Sequence, residues 1–405
     1  MGILIPLILI SFACVVIWRA GDGFMTASEY IGRNLSEGVR GASINAVASS
    51  MPEVFTSLFF LFVLMDASGF SGGIGTTAGS AIFNGMVIPA VSILAVIGIG
   101  LTNRIEVSKK VLMRDGIALI LTETIFLVLI SGASLDWWHG LILMLVYVAY
   151  ISYMFISMNQ SQKKAIFEAE QNGETLEVEE EEEEEEENGE QGSFIKGLVT
   201  FDLERVFVGS NKMNDFRAWS LLIFATVSIA LVCYLLVIAC EWMGADVYQV
   251  PYLGEYHGLN IPLMFVALVL ASAASSFPDT IISIKDAQRG KYDDAISNAL
   301  GSNIFDVCFA LGFPLFLFTI LHGPIQMPED LINLSAELRF LLLLLTIVAV
   351  LVYTTGKYMG KGKALLLLGI YFLFILYIIG RSAGNEMAAS IANVLLSILE
   401  MVGIR

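Results

Sequence analysis

The chain has 405 residues, of which 56% are hydrophobic and only 15% charged, with a mean hydropathy of +0.76, and this excludes a soluble globular protein. Its 36 glycines and nine prolines suit membrane helices and are too sparse for a fibrous or low-complexity chain. The net charge of -17 is localised, because residues 158–217 hold 17 acidic and six basic side chains and so carry -11 of it.

A bilayer core takes about 20 apolar residues per helix. In chain order, apolar spans are predicted near residues 3–18, 38–65, 74–99, 115–131 and 137–156, and then near 218–241, 259–284, 295–320, 338–355 and 364–380. The expected fold class is an all-α polytopic membrane protein with ten transmembrane helices. The first span has no basic residue before it, so it is expected to be retained rather than cleaved as a signal. Spans two and seven exceed what one straight helix needs, and each contains a proline, which predicts that helices 2 and 7 are broken.

These spans divide the chain into a first membrane domain (1–157), an acidic loop (158–217), a second membrane domain (218–380) and a C-terminal segment (381–405). The loop contains nine consecutive glutamates, Glu179 to Glu187, whose mutual repulsion predicts a largely disordered, solvated linker. The C-terminal segment is amphipathic, with Met387, Ile391, Val394, Ile398 and Val402 along one face, suited to lie on the membrane or pack on the bundle. Cys14, Cys233, Cys240 and Cys308 form no C-x-x-C pair and read as small apolar packing residues.

Orientation follows from the Lys and Arg count, since these residues are retained on the cytoplasmic side. With ten spans, 19 of the 22 fall in the odd-numbered connections, and only Arg339, Arg381 and Arg405 fall on the other side. Both termini are therefore expected outside and the acidic loop inside, in a cell membrane.

The sequence repeats itself at spans two to three and seven to eight. Ala48-Ser49-Ser50-Met51-Pro52-Glu53 aligns with Ala274-Ser275-Ser276-Phe277-Pro278-Asp279, and Gly79-Ser80-Ala81-Ile82-Phe83-Asn84 aligns with Gly301-Ser302-Asn303-Ile304-Phe305-Asp306. The connection within the first copy has no Lys or Arg, whereas that of the second carries Lys285, Arg289 and Lys291, so the copies are expected to cross the membrane in opposite directions. Two inverted five-helix repeats with interrupted helices at matching positions point to a secondary transporter whose substrate binds near the midplane.

Pro52 and Pro278 cannot donate to the carbonyls of Ala48 and Ala274, and a freed carbonyl at membrane depth needs another partner. Beside each proline stand two serines and a carboxylate, Glu53 or Asp279. Ser80 with Asn84, and Ser302 with Asp306, are four apart and share a helix face. Carbonyl, hydroxyl and carboxylate oxygens suit hard cations such as Ca²⁺, and the histidine and thiolate that Zn²⁺ or copper would favour are missing from the motifs. A carboxylate at membrane depth is read as functional by default.

These duplicated S-S-x-P-[ED] and G-S-x-I-F-[ND] blocks resemble the α-repeats, here about 38–99 and 259–320, of the Ca²⁺/cation antiporter superfamily, specifically the Na⁺/Ca²⁺ exchangers. The resemblance implies exchange of Na⁺ for Ca²⁺ by alternating access, with no enzymatic step, cofactor, nucleic acid or protein partner beyond the ions and the bilayer. It implies that Glu53 and Asp279 bind Ca²⁺ and share in Na⁺ binding, and that Ser49, Ser50, Ser80, Ser275, Ser276 and Ser302 are oxygen ligands. The backbone carbonyls of Ala46 and Ser272 would join them, and Asn84 and Asp306 would complete the Na⁺ side. Asp at 279 rather than Glu, together with Asn84 and Asp306, looks more like the K⁺-dependent branch, where the acid matching Asp306 is associated with K⁺. H⁺-coupled members of the superfamily usually lack the proline and carry Asn-Ala before the acid.

Gly69-Phe70-Ser71-Gly72 matches the G-x-S-G of rhomboid-type intramembrane proteases, but His139, His257 and His322 lie near span ends or in outer loops, and an aspartyl protease pairing Asp279 with Asp306 would leave Glu53 and the repeat unexplained. Glu123, mid-span and outside the repeat, reads first as a satisfied bundle-facing acid, then as a proton site or a lining of the ion path. Asp115 and Glu241, near span ends, are expected to reach water. The acidic loop lacks a D-x-[DN]-x-[DN]-G site and is too short for paired β-sandwich Ca²⁺ sensors.

Overall fold

A computed structural model describes residues 2–33, 46–172, 197, 200–209 and 212–404. The expected start of the second span and the Glu179–Glu187 run lie outside the described residues. Among the described residues, seven helices are long and apolar enough to cross a membrane: Leu4–Ile31, Ala67–Gly98, Trp137–Ile156, Asp215–Gly244, Ala295–His322, Glu329–Thr354 and Lys361–Ser382. The pair Leu263–Ser275 and Phe277–Gln288, bent by 43°, makes an eighth if taken as one crossing. Met51–Leu64 has only 14 residues, and Lys109–Leu129 carries Arg114, Asp115 and Glu123, so neither passes as an apolar span on its own. The chain is an integral, multi-pass membrane protein.

Polar caps set several of the helix starts. Asp66, Asn214 and Asn385 each accept backbone N–H groups of the following first turn, at 2.9–3.3 Å, and Gly403 (φ 75°) ends the last helix. The first helix runs to Ile31, past the expected end at Trp18, because its polar residues have partners. The Arg19 guanidinium lies 4.6 Å from the centre of the Trp18 ring, Asp22 meets Lys285 at 3.8 Å, and the Thr26 hydroxyl donates to Glu204 at 3.2 Å.

The interior has two main apolar clusters. One joins Leu4–Ile31 to Asp215–Gly244 through residues such as Ile17, Ala20, Ile229 and Val237. The larger one fills the space among the remaining helices. The two interrupted segments contribute to both, with Ala48, Phe60, Ala267 and Ala274 in the first cluster and Val54, Leu61, Met264 and Leu268 in the second.

Two short antiparallel ladders tie the loops. Arg104–Glu106 pairs with Tyr358–Gly360, and Ser134–Leu135 pairs with Ile325–Gln326. Lys109–Leu129 therefore runs from the first ladder to the second, and Glu329–Thr354 runs back from the second to the first. A third ladder is the hairpin Val247–Val250 with Gly254–His257, where the Tyr248 hydroxyl donates to the carbonyl of Gly2.

Two expectations are corrected by packing. Asp115 does not reach water: it is fully buried, paired with Arg114 at 2.6 Å and accepting from the Ser297 hydroxyl at 2.6 Å. Arg339 is not a loop residue. It lies inside Glu329–Thr354, 1% exposed, donating to the carbonyls of Phe126, Leu127 and Ser335 at 2.7–3.4 Å. The C-terminal end of Lys109–Leu129 carries the negative end of the helix dipole, which supplies the field that a buried guanidinium requires. In the C-terminal helix Glu386–Val402, Ala388, Ala392, Leu395 and Leu399 face the bundle, while Met387, Ile391, Val394 and Val402 point outward.

Candidate cation-binding site

Both proline motifs fold the same way. A one-turn helix, Ala46–Ser49 or Ser272–Ser275, stops at a serine, Ser50 (φ -95°, ψ 9°) or Ser276 (φ -82°, ψ 3°), and a new helix starts with the proline in its first turn. Proline is favoured there, because its missing N–H has no intrahelical partner at a helix start. The acid after it, Glu53 or Asp279, occupies the same first turn, where the helix dipole favours negative charge. A five-residue π-helical stretch, Ala267–Ala271, precedes the second break, and another begins at Asp306.

The second motif blocks deliver their side chains against these breaks. From Ala67–Gly98, the Ser80 hydroxyl lies 3.2 Å from Glu53 Oε1, 3.0 Å from Asp306 Oδ2 and 2.7 Å from the Ser276 hydroxyl, and Asn84 Nδ2 donates to Ser80 at 3.3 Å. Ser276 donates to the same Glu53 oxygen at 3.3 Å, and Ser302 donates to Asp279 Oδ1 at 3.1 Å. Ser275 lies within interaction range of Glu53, Ser49 and Asn84 of Asp279, and Ser50 of Asp306. Residues from both copies thus form one connected group.

This convergence depends on close helix approach. A methyl group at Gly79 would collide with the carbonyl oxygen of Leu268 and stand 2.7 Å from the Ser272 hydroxyl, and one at Gly72 would stand 2.8 Å from the Phe60 ring. Small residues let backbones meet in membranes as side chains would not allow.

Of the two backbone ligands the resemblance implies, the Ser272 carbonyl is already engaged, accepting from the Ser276 N–H at 2.9 Å and the Ser275 hydroxyl at 3.2 Å. Ala46 lies in the helical segment before the first break. The other implied ligands are buried, Glu53, Asp279, Asp306, Asn84, Ser50, Ser80, Ser275, Ser276 and Ser302 completely so.

Their hydrogen bonding is incomplete in a uniform way. Glu53 Oε2, Asp279 Oδ2, Asp306 Oδ1, Asn84 Oδ1 and the Ser50 hydroxyl are all buried without a hydrogen-bond partner. Among the described residues, no Lys, Arg or His is paired with any of the three acids. Buried acceptors are normally satisfied and buried charges normally paired, so five unpartnered oxygens around three carboxylates form a cluster of acceptors whose chemistry would suit a hard cation. Among the described residues, no three carboxylates, imidazoles or thiolates alone form a metal cage, so the hydroxyl and amide oxygens are needed to complete a coordination shell.

Several residues here carried no readable signal in the sequence. The Asn303 amide donates to the Ala81 carbonyl at 2.8 Å, locking Tyr292–Phe305 against Ala67–Gly98 beside Ser80. The Cys233 thiol donates to the Pro52 carbonyl at 3.6 Å, so this cysteine does more than fill space, while Cys14, Cys240 and Cys308 are likewise free thiols. The Tyr353 hydroxyl donates to the Gly85 carbonyl. Ser71 of the protease-like motif donates to its own helix at Ala67, and His322 packs on Phe62 and Phe318.

A family model described as "Sodium/calcium exchanger protein" matches residues 5–156 and 217–380. Sodium/potassium/calcium exchanger 5 of Homo sapiens is 26% identical, over 95% of this chain and 85% of that protein. Sodium/potassium/calcium exchanger 3 of Rattus norvegicus is 36% identical over a shorter stretch, 30% of this chain and 18% of that protein. Among solved structures, that of an H⁺/Ca²⁺ exchanger superposes with a TM-score of 0.63 at 14% identity, covering 98% of this chain and 88% of that one. A sodium-calcium exchanger superposes with a TM-score of 0.52 at 18% identity, covering 92% and 98%.

Proposed function

Because this chain belongs to the sodium/calcium exchanger protein family, whose model covers both of its membrane parts, we propose that it exchanges Na⁺ for Ca²⁺ across a membrane by alternating access to the cluster around Glu53 and Asp279. The observation that carries this is the set of unpartnered buried oxygens on Glu53, Asp279, Asp306, Asn84 and Ser50. Ser49, Ser80, Ser275, Ser276 and Ser302 would supply neutral oxygens, and Ala46 and Ser272 backbone oxygens once their segments move. Two inverted five-helix repeats in ten spans, with the acidic loop inside and both termini outside, complete the reading. The ladders support it, since each joins two loops that the Lys and Arg count puts on one side. The Tyr248 contact to Gly2 and the Lys285 contact to Asp22 respect the same partition.

In this mechanism either cargo neutralises the carboxylates, whereas an empty site leaves like charges together in low dielectric. The unloaded carrier crosses poorly, and that makes the exchange obligatory. Asp306 gives the site a third charge, which fits K⁺ co-transport, and the relatives named as sodium/potassium/calcium exchangers support that extension. The second reading, H⁺-coupled Ca²⁺ exchange, draws on the likeness to the H⁺/Ca²⁺ exchanger. Ca²⁺ uptake into proteoliposomes, with Na⁺, K⁺ and H⁺ gradients imposed in turn, separates them. Uptake driven by an outward Na⁺ gradient and enhanced by K⁺ on the Ca²⁺ side is expected, and uptake indifferent to Na⁺ would sink the reading.

A further inference from the structure

Outside the three-acid cluster, one more carboxylate among the described residues is buried without charge compensation. Glu123, in Lys109–Leu129, is fully buried; its Oε1 accepts from the Thr346 hydroxyl at 2.8 Å, and its Oε2 has no partner. Leu119 and Phe126, four residues before and three after it on the same helix, and Leu342, four before Thr346, are each at most 1% exposed. We propose that Glu123 and Thr346 form a proton-binding site, separate from the cation cluster, whose occupancy makes transport sensitive to pH.

The chemistry of the donor set selects the ligand. One carboxylate and one hydroxyl cannot replace the six to eight oxygens of Ca²⁺, and among the described residues Glu123 belongs to no group of three acids, imidazoles or thiolates. A proton needs only the carboxylate, and it removes the charge that this depth penalises.

No neighbouring group competes for that role. On Glu329–Thr354, Arg339 is spent on the carbonyls of Phe126, Leu127 and Ser335, Glu337 is paired with Arg381, and Tyr353 bonds Gly85. In the turn that starts at Asp306, Asp306 accepts from Ser80, and Cys308 lies beside Thr122. From Trp137–Ile156, Tyr147 packs on Phe305, and Tyr150 lies toward Arg114 and Asp115, which are paired two turns below Glu123 on its own helix. On Glu386–Val402, Glu400 is exposed.

The site also has a route to the cation cluster. Thr122, next to Glu123, meets Cys308, two residues from Asp306, so water or charge admitted at Glu123 is felt in the segment that carries Asp306. The inference does not require Na⁺ to be the driving ion.

Infrared difference spectra of the reconstituted protein, saturated with Ca²⁺ so that the three-acid cluster is ionised, test it. The protonated-carboxyl carbonyl band is expected in the wild type and lost in Glu123→Gln. The band should disappear as pH rises, and over that pH range the wild-type flux should change while the Glu123→Gln flux stays flat. Thr346→Val should shift the pH at which the band disappears. A band that Glu123→Gln leaves intact, or a Glu123→Gln flux profile superposing on the wild type, overturns the proposal. Should Glu123→Gln fail to accumulate, Glu123→Asp provides the same reading through a displaced midpoint, and an unmoved midpoint counts against it. Wild-type protein that shows the band but carries no exchange would defeat the transport reading instead.

Discussion

Two of the acidic places inside this bundle are built in opposite ways. Glu337 is as buried as Glu53, Asp279 and Asp306, yet both its oxygens are used: Oε1 accepts from the Tyr377 hydroxyl at 2.5 Å and Arg381 Nε at 2.9 Å, and Oε2 accepts from Arg381 Nη2 at 2.8 Å. Among the described residues the three-acid cluster is met by hydroxyl donors and by no basic side chain, and one oxygen of each acid is left over. Burial alone therefore does not mark a functional acid. The difference is whether the protein supplies the counter-charge itself, as at Glu337, or, in the proposed function, leaves it to a mobile ion.

That contrast can be broken by experiment. Neutralising the open cluster should cost function and spare the fold. Glu53→Gln and Asp279→Asn are each expected to abolish ion-driven Ca²⁺ uptake, while the melting temperature of the detergent-solubilised protein stays level or rises, because an unpaired buried charge has been removed. A variant that melts much lower would mean the acids are structural. Neutralising the closed cluster should do the reverse. Glu337→Gln leaves Arg381 without its carboxylate partner and is expected to destabilise by about 2 kcal/mol, reduced from the fully buried case because Arg381 is partly exposed, with the Ca²⁺ concentration for half-maximal uptake unchanged. A shift in that concentration would tie Glu337 to the ion path.

The smallest effect belongs to an exposed pair. Lys357 meets Glu106 at 3.0 Å, and this contact holds its ammonium above the usual lysine value. A raised lysine contributes fully below its unfolded value and loses that contribution only as pH rises through the folded one, so the pair is intact from neutral pH to about pH 9. Lys357→Gln is expected to leave melting and flux unchanged across that range, and the effect of a solvated ion pair is small in any case. A measurable loss would show that the adjoining ladder depends on it.

The site was more legible in the sequence than the helix borders were. Serine, proline and acid recur in register, and proline dictates a break wherever it falls in an apolar run, so the two half-helices could be placed from local chemistry alone. The ten implied side-chain ligands come together because the duplicated motifs put the same face of each element against the other. What hydropathy could not show was tertiary compensation. Arg19 and Asp22 look like the end of a span and are not, because Trp18 and Lys285 take them up. Asp115 looks water-facing, and Arg339 looks like a loop cation, until Ser297 and the carbonyls of Phe126 and Leu127 are brought to them by distant parts of the chain. Asn303 is one letter inside a recognised motif, but its bond to Ala81 follows from how two helices cross, which no single segment encodes.

The two ladders have a consequence for movement. Lys109–Leu129 and Glu329–Thr354 are clasped at both ends, by Arg104–Glu106 with Tyr358–Gly360 and by Ser134–Leu135 with Ile325–Gln326. Between the clasps they are stitched by Thr346 to Glu123 and by Arg339 to Phe126 and Leu127. Sliding one of these helices past the other by a turn would break both ladders at once, so shear within the pair is closed off. The pair is a rigid strut, and any rocking that changes which side sees the acids must take place at its edges.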